Sequence, residues 1–163
     1  VRLVEPEWLQ ILNFAQAKGA TIIVFTKNSL SIIPLNFAVR HRNKEIQSLG
    51  LVSFFEPSFR KPSSPSLHSL SFKEPTSIFY EGILMTIHRY KGDTLKSFIE
   101  SIKRHNRMKP FWPTSIILFE DKEGQILSMR RVAKELNIPF LGFLYLKDKG
   151  EIPLLMLFYK RIS

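Results

Sequence analysis

The sequence predicts a three-layer α/β fold, a mainly parallel Rossmann-like sheet with helices on both faces. Two observations carry this. Short β-branched apolar runs such as A-T-I-I-V-F-T (20–26) and S-I-I-L-F (115–119) read as strands buried on both faces, and amphipathic helical segments separate them. Right-handed crossovers between parallel strands then place helices on both sides of the sheet. Composition agrees: 163 residues with 44% hydrophobic and 23% charged content suit one domain, 1–163, that buries a core.

Pro6 and Glu7 open a helix with Leu9, Leu12 and Ala15 on one face and Gly19 just past its end. The strand 20–26 follows, then a helix over about 40–49 closed by Gly50, then L-V-S-F-F (51–55) as a candidate strand. Residues from about 59 to 77 are rich in Pro and Ser without a sustained period, and read as a long surface loop. S-I-F-Y (77–80) and I-L-M-T-I (83–87), separated by Glu81 and Gly82, read as a hairpin. From Lys91 the spacing of Leu95, Phe98, Ile99 and Ile102 predicts a helix, with Asp93 complementing the dipole of its first turn. Beyond strand 115–119 come a helix over about 124–137, with Ile126, Met129, Ala133 and Leu136 inward, and a strand in I-P-F-L-G-F-L-Y (138–145). The tail P-L-L-M-L-F-Y-K-R-I (153–162) reads as helix or strand, with helix favoured.

A net charge of +10 admits a nucleic-acid or membrane-surface binder, because a positive field attracts polyanions without specific contacts. The cations are scattered, however, with local clusters at 41–44 and 103–109, and most aromatic residues fall in strand interiors, so nucleic acid is the weaker expectation. With no cysteine there is neither a disulfide nor a thiolate metal site. No apolar run reaches the roughly 18 residues of a membrane span. The first residue is Val1 rather than Met, which suggests that a segment upstream is missing; cytoplasmic placement is favoured, with a secreted or periplasmic one left open.

In an α/β sheet of this kind ligands bind at the carboxyl ends of the strands. Thr26, ending the first strand and followed by Lys27, serves either as a helix cap or, through its hydroxyl and nearby N–H groups, as an anion contact. Lys91, in R-Y-K-G-D, is either an ordinary surface lysine or an ammonium aimed at a phosphate between strand ends. Glu120 and Asp121 repel one another at the end of an apolar strand; a hard cation such as Mg²⁺ would relieve that cost, and a solvated turn with Asp121 as helix cap is the alternative. The four histidines are dispersed, and the nucleophile-elbow, P-loop and dinucleotide fingerprints are absent.

In this order F-T-K-N, Y-K-G-D and I-I-L-F-E-D-K resemble motifs two, three and four of the haloacid dehalogenase-like (HAD) hydrolases. More narrowly the chain is similar to an uncharacterised bacterial subfamily, in which segments like L-G-L-V-S-F-F and F-L-G-F-L-Y follow motifs two and four. The resemblance implies a Mg²⁺-dependent phosphatase acting on a phosphorylated small molecule, with Thr26 bonding the phosphoryl group, Lys91 neutralising it, Lys27 beside it, and Glu120 and Asp121 helping to hold the metal. Two features depart from the pattern. The family's motif one, a central strand ending in D-x-D that supplies the nucleophile, has no counterpart among Asp93, Asp121 and Asp148, and Glu120 stands where the family has Asp. The chain alone is therefore expected to be inactive: either the C-terminal part of an enzyme, or a truncated, non-catalytic relative that still binds phosphate. A missing central strand leaves two ladders unpaired, so the sheet must re-pair around the gap, borrow a strand from another chain, homo-oligomers included, or be completed by an upstream segment.

Overall fold

The computed structural model describes residues 7–28, 33–54, 69–71, 77–87, 89–104, 112–144 and 155–160. Among the described residues seven strands are formed: β1 (Ala20–Asn28), β2 (Ser69–Ser71), β3 (Ser77–Tyr80), β4 (Ile83–Ile87), β5 (Pro113–Glu120), β6 (Phe140–Leu144) and β7 (Leu155–Lys160). Among the same residues four α-helices accompany them: α1 (Glu7–Ala17), α2 (Leu35–Ser48), α3 (Lys91–Arg104) and α4 (Glu123–Glu135).

Alternation along β1 organises the packing. Ile23 and Phe25 enter one core with Leu95, Phe98 and Ile99 of α3 and Met129 and Val132 of α4. Ile22 and Val24 enter a second core with Trp8 and Leu12 of α1 and Val39 and Ile46 of α2. A strand apolar on both faces is covered on both, as period-two side-chain alternation requires. The fold is α/β, with helices on each side of one seven-stranded sheet of order β2-β3-β4-β1-β7-β5-β6.

Several local expectations hold for identifiable reasons. Glu81 and Gly82 both have positive φ, 50° and 88°, the combination a tight two-residue hairpin turn needs to match strand twist, and β3 and β4 pair antiparallel across it. Glu81 also accepts a hydrogen bond from the buried Asn43 amide, which ties the turn to α2. All four residues predicted for the buried face of α3 are buried.

Other expectations are corrected. The sheet is mixed rather than mainly parallel: β1 pairs parallel with β4 and β5 with β6, while the other four pairings are antiparallel. Of the two states open to the tail, residues 155–160 take the strand, β7, rather than the favoured helix, because they lie between two strands whose ladder groups they satisfy, and that tertiary demand overrides local propensity. Residues 51–54 give a 3₁₀ turn, Val52–Phe54, instead of a strand, and Phe55 lies outside the described residues: the Leu51 N–H bonds back to the Ile46 carbonyl to close α2, and its buried side chain anchors the turn. Within the Pro/Ser-rich stretch Ser69–Ser71 pairs with β3 as an edge strand, while 55–68 and 72–76 lie outside the described residues. On α1 the inward residue is Trp8, edge-on to Phe119, and Leu9 is exposed.

Candidate functional site

The middle of the sheet positions the chemistry. β1 and β5 run in the same direction, and β7 lies antiparallel between them, pairing Val24 with Leu155 on one side and Leu118 with Met156 on the other. Beyond Leu155, β1 continues through Phe25–Asn28 and β5 through Phe119 and Glu120 with no strand described between them. The Val24 N–H bonds the Gly82 carbonyl on the β4 side, so the polar groups of Phe25 face the opposite side, toward β5. There the Lys91 ammonium donates to the Phe25 carbonyl at 2.8 Å and to Glu120 Oε2 at 2.5 Å. One side chain thus bridges two strand ends that no ladder joins.

Lys91 is no surface lysine: it and Glu120 are each 1% exposed. Its place is set by the start of α3, where the Lys91 N–H donates to the buried Gln125 Oε1 at 2.8 Å and the Gly92 N–H to Ser128 Oγ at 3.1 Å. Gly92 is required there, because a Cβ would collide with the Ser128 backbone carbonyl and hydroxyl. The other oxygen of Glu120 accepts the N–H groups of Asp121 and Lys122 at 3.0 and 3.2 Å, satisfying donors ahead of α4. Burial pushes the Lys91 ammonium below its ordinary value, opposed by attraction to Glu120 and Asp121, and pushes Glu120 above its own, opposed by Lys91. The result is a fixed, desolvated cation held between strand ends by one carboxylate.

Asp121 is half-buried beside this pair and contributes to the field on Lys91. The N-cap of α4 is Lys122, with no side-chain cap bond, and the N–H groups just ahead of the helix, of Asp121 and Lys122, are taken by Glu120. Thr26 does not cap α2, since that helix begins at Leu35 after Pro34. Thr26 is 7% exposed and shares the strand face of Val24, opposite that of Phe25, so its side chain looks toward α2; with Lys27 it lines a cavity of about 690 Å³. Lys91 and Glu120 are therefore in contact, Asp121 is their neighbour, and Thr26 and Lys27 belong to a cavity that begins one residue past the carbonyl Lys91 caps.

The residues do not fit Mg²⁺ by themselves. Among the described residues no group of three or more His, Cys, Asp or Glu is placed to hold a metal. Glu120 is committed through both oxygens, to Lys91 and to two N–H groups. The adjacency of the two acids is balanced here by an ammonium.

Sequence reasoning missed Gln125 and Ser128, which orient the Lys91 segment. The polar Gln125 directly before Ile126, on the inward face of α4, was the available signal. It also missed the α2 residues of the cavity; the basic cluster 41–44 beside Phe37 was the sign. His41 lies in that cavity wall, whereas His68, His88 and His105 lie outside the described residues.

No helix among the described residues is long and apolar enough to cross a membrane. No solved structure matches the chain. A protein of Chlamydia trachomatis serovar D named "Putative outer membrane protein" is 28% identical over 157 residues, covering 91% of this chain and 54% of the relative. One of the same name from Chlamydia muridarum is 27% identical over 154 residues, covering 88% of this chain and 52% of the relative. The chain thus spans about half the length of the curated relatives it matches. Residues 1–154, the whole helical framework and every strand but β7, match one family, and the chain belongs to it: Protein of unknown function (DUF2608).

Proposed function

We propose that this chain is the greater C-terminal part of a haloacid dehalogenase-like phosphohydrolase that cleaves phosphomonoesters, with its nucleophile supplied by a parallel strand in the slot that β7 fills. The observation that carries this reading is the convergence of the Lys91 ammonium, the Glu120 carboxylate and the end of β1 just beyond the start of β7. The family match stops at 154, immediately before β7, and the relatives are nearly twice as long, which leaves room for another strand. In this reading Lys91 neutralises the phosphoryl oxygens from a preorganised, desolvated position, and Thr26 bonds them from the end of β1. Asp121 takes part in Mg²⁺ binding only with carboxylates that the incoming strand supplies. The chain as it stands has no nucleophile and is inactive.

The test compares this chain with the longer natural product in the hydrolysis of p-nitrophenyl phosphate with Mg²⁺. The 163-residue chain gives no turnover, and the longer product turns over. The double variant Lys91→Met/Glu120→Leu of the longer product, chosen because it leaves no buried charge unpaired, loses about 100-fold or more in kcat. An upstream region without an Asp closing an apolar strand, or an inert longer product, sinks the proposal. A phosphate-binding module without catalysis is the second reading, favoured by the existing neutralisation of Lys91 by Glu120. It predicts phosphate binding by the longer product with no turnover.

A further inference from the structure

The cavity beside α2 has an unusual pairing of surfaces. Its floor is Thr26 and Met85, register partners on β1 and β4. Its wall is a stripe of α2 that the core does not use: Val39, Asn43 and Ile46 face inward, while Phe37, Arg40, His41 and Lys44 line the cavity at i, i+3, i+4 and i+7. Phe37 is 62% exposed and Ile33, opposite in character to the surrounding cations, is 43% exposed, so two large apolar side chains flank the cavity and stay accessible. Glu45 is the one carboxylate among the described lining residues, and Arg42 and His41 engage it at 2.8 and 3.6 Å. Lys27, Arg40 and Lys44 remain as a surplus of positive charge around an apolar wall.

We infer that this cavity takes a ring-bearing phosphomonoester, its phosphoryl group toward Thr26 and Lys27 and its apolar body against Phe37, Ile33 and Met85. A small hydrophilic phosphate would leave the apolar wall wet, and a neutral ring would leave the cations unmatched; a ligand with both parts satisfies both surfaces. A cavity of about 690 Å³ accommodates a body of two or three rings. That this ligand is the substrate rests on the phosphohydrolase reading; that it binds here does not.

Binding to the 163-residue chain is measured calorimetrically with 1-naphthyl phosphate, inorganic phosphate, 1-naphthol and vesicles containing phosphatidic acid. 1-Naphthyl phosphate binds about tenfold or more tightly than either fragment, since a buried ring adds that much. Phe37→Asp and Lys44→Glu, both at exposed positions, each weaken it about fivefold or more, while Phe14→Asp, on an equally exposed ring of α1, has no effect. Equal affinities for naphthyl phosphate and inorganic phosphate overturn the proposal, as do equal effects of Phe37→Asp and Phe14→Asp, or binding confined to the vesicles. Failure of the catalytic reading is distinguishable, since an inert longer product that retains Phe37-dependent binding refutes catalysis and leaves this site standing.

Discussion

Lys91 and Glu120 illustrate how far a single pair departs from what its local sequence suggests. Two buried opposite charges gain from each other but lose hydration, and the balance makes them costly to separate yet replaceable together. Lys91→Met alone should lower stability by about 3–5 kcal/mol in urea titrations, because the carboxylate is left buried and unmatched. Lys91→Met/Glu120→Leu should be neutral or more stable by up to about 4 kcal/mol. The difference in stability between wild type and double variant should also vary with pH. Glu120, raised by burial, contributes stability fully present below its unfolded value of 4.5 and lost as pH rises through its folded value. Lys91, lowered by burial, contributes stability present above 10.5 and lost as pH falls through its folded value. Wild type is thus least favoured relative to the double variant near neutrality and recovers toward both extremes; a flat difference curve would show that the pair is not buried as described.

At the scale of elements, the contact between the start of α3 and the middle of α4 aims Lys91. Gly92→Ala should cost about 1–3 kcal/mol, since the new methyl meets the Ser128 backbone carbonyl. Adding Ser128→Ala should restore less than half of that, as a backbone atom is the obstacle; full rescue would locate the clash in the hydroxyl instead. Helices α3 and α4 were legible in apolar residues at helical spacing, and so was the end of α2, just ahead of Gly50, whose φ of 70° suits a helix terminator; the start of α2 at Leu35 lies ahead of the expected position near 40. Residues 51–55 were not, because a short apolar run carries no period that separates a strand from a helix-closing turn. Trp8 was passed over for Leu9 for a related reason: adjacent apolar residues at a helix start leave the inward face to be chosen by the partner, here Phe119.

Across the whole molecule β7 joins two parallel pairs, β4 with β1 and β5 with β6, that otherwise meet through the α3 and α4 core. Every amide of a central strand serves one neighbour or the other, so Leu157→Pro should cost about 3 kcal/mol or more in this chain. In the longer product, if a parallel strand takes the slot, the same change should leave the unfolding midpoint unmoved. A loss of equal size in both proteins would mean that β7 is the permanent seventh strand and would remove the slot from the functional argument.

By itself the sequence determined the α/β class, the helices, the hairpin at Glu81-Gly82, and Lys91 and Glu120 at strand and helix ends; these follow from local periodicity and turn chemistry, which act over a few residues. It also raised the gap at the sheet centre, as a consequence of the absent D-x-D. Only the tertiary structure decided that β7 lies between β1 and β5, that Lys91 pairs with Glu120, and that Thr26 opens onto a basic, apolar-walled cavity. Those outcomes depend on unpaired ladder groups and buried charges finding partners from distant parts of the chain, and the cost of leaving such groups unsatisfied is carried by no local pattern.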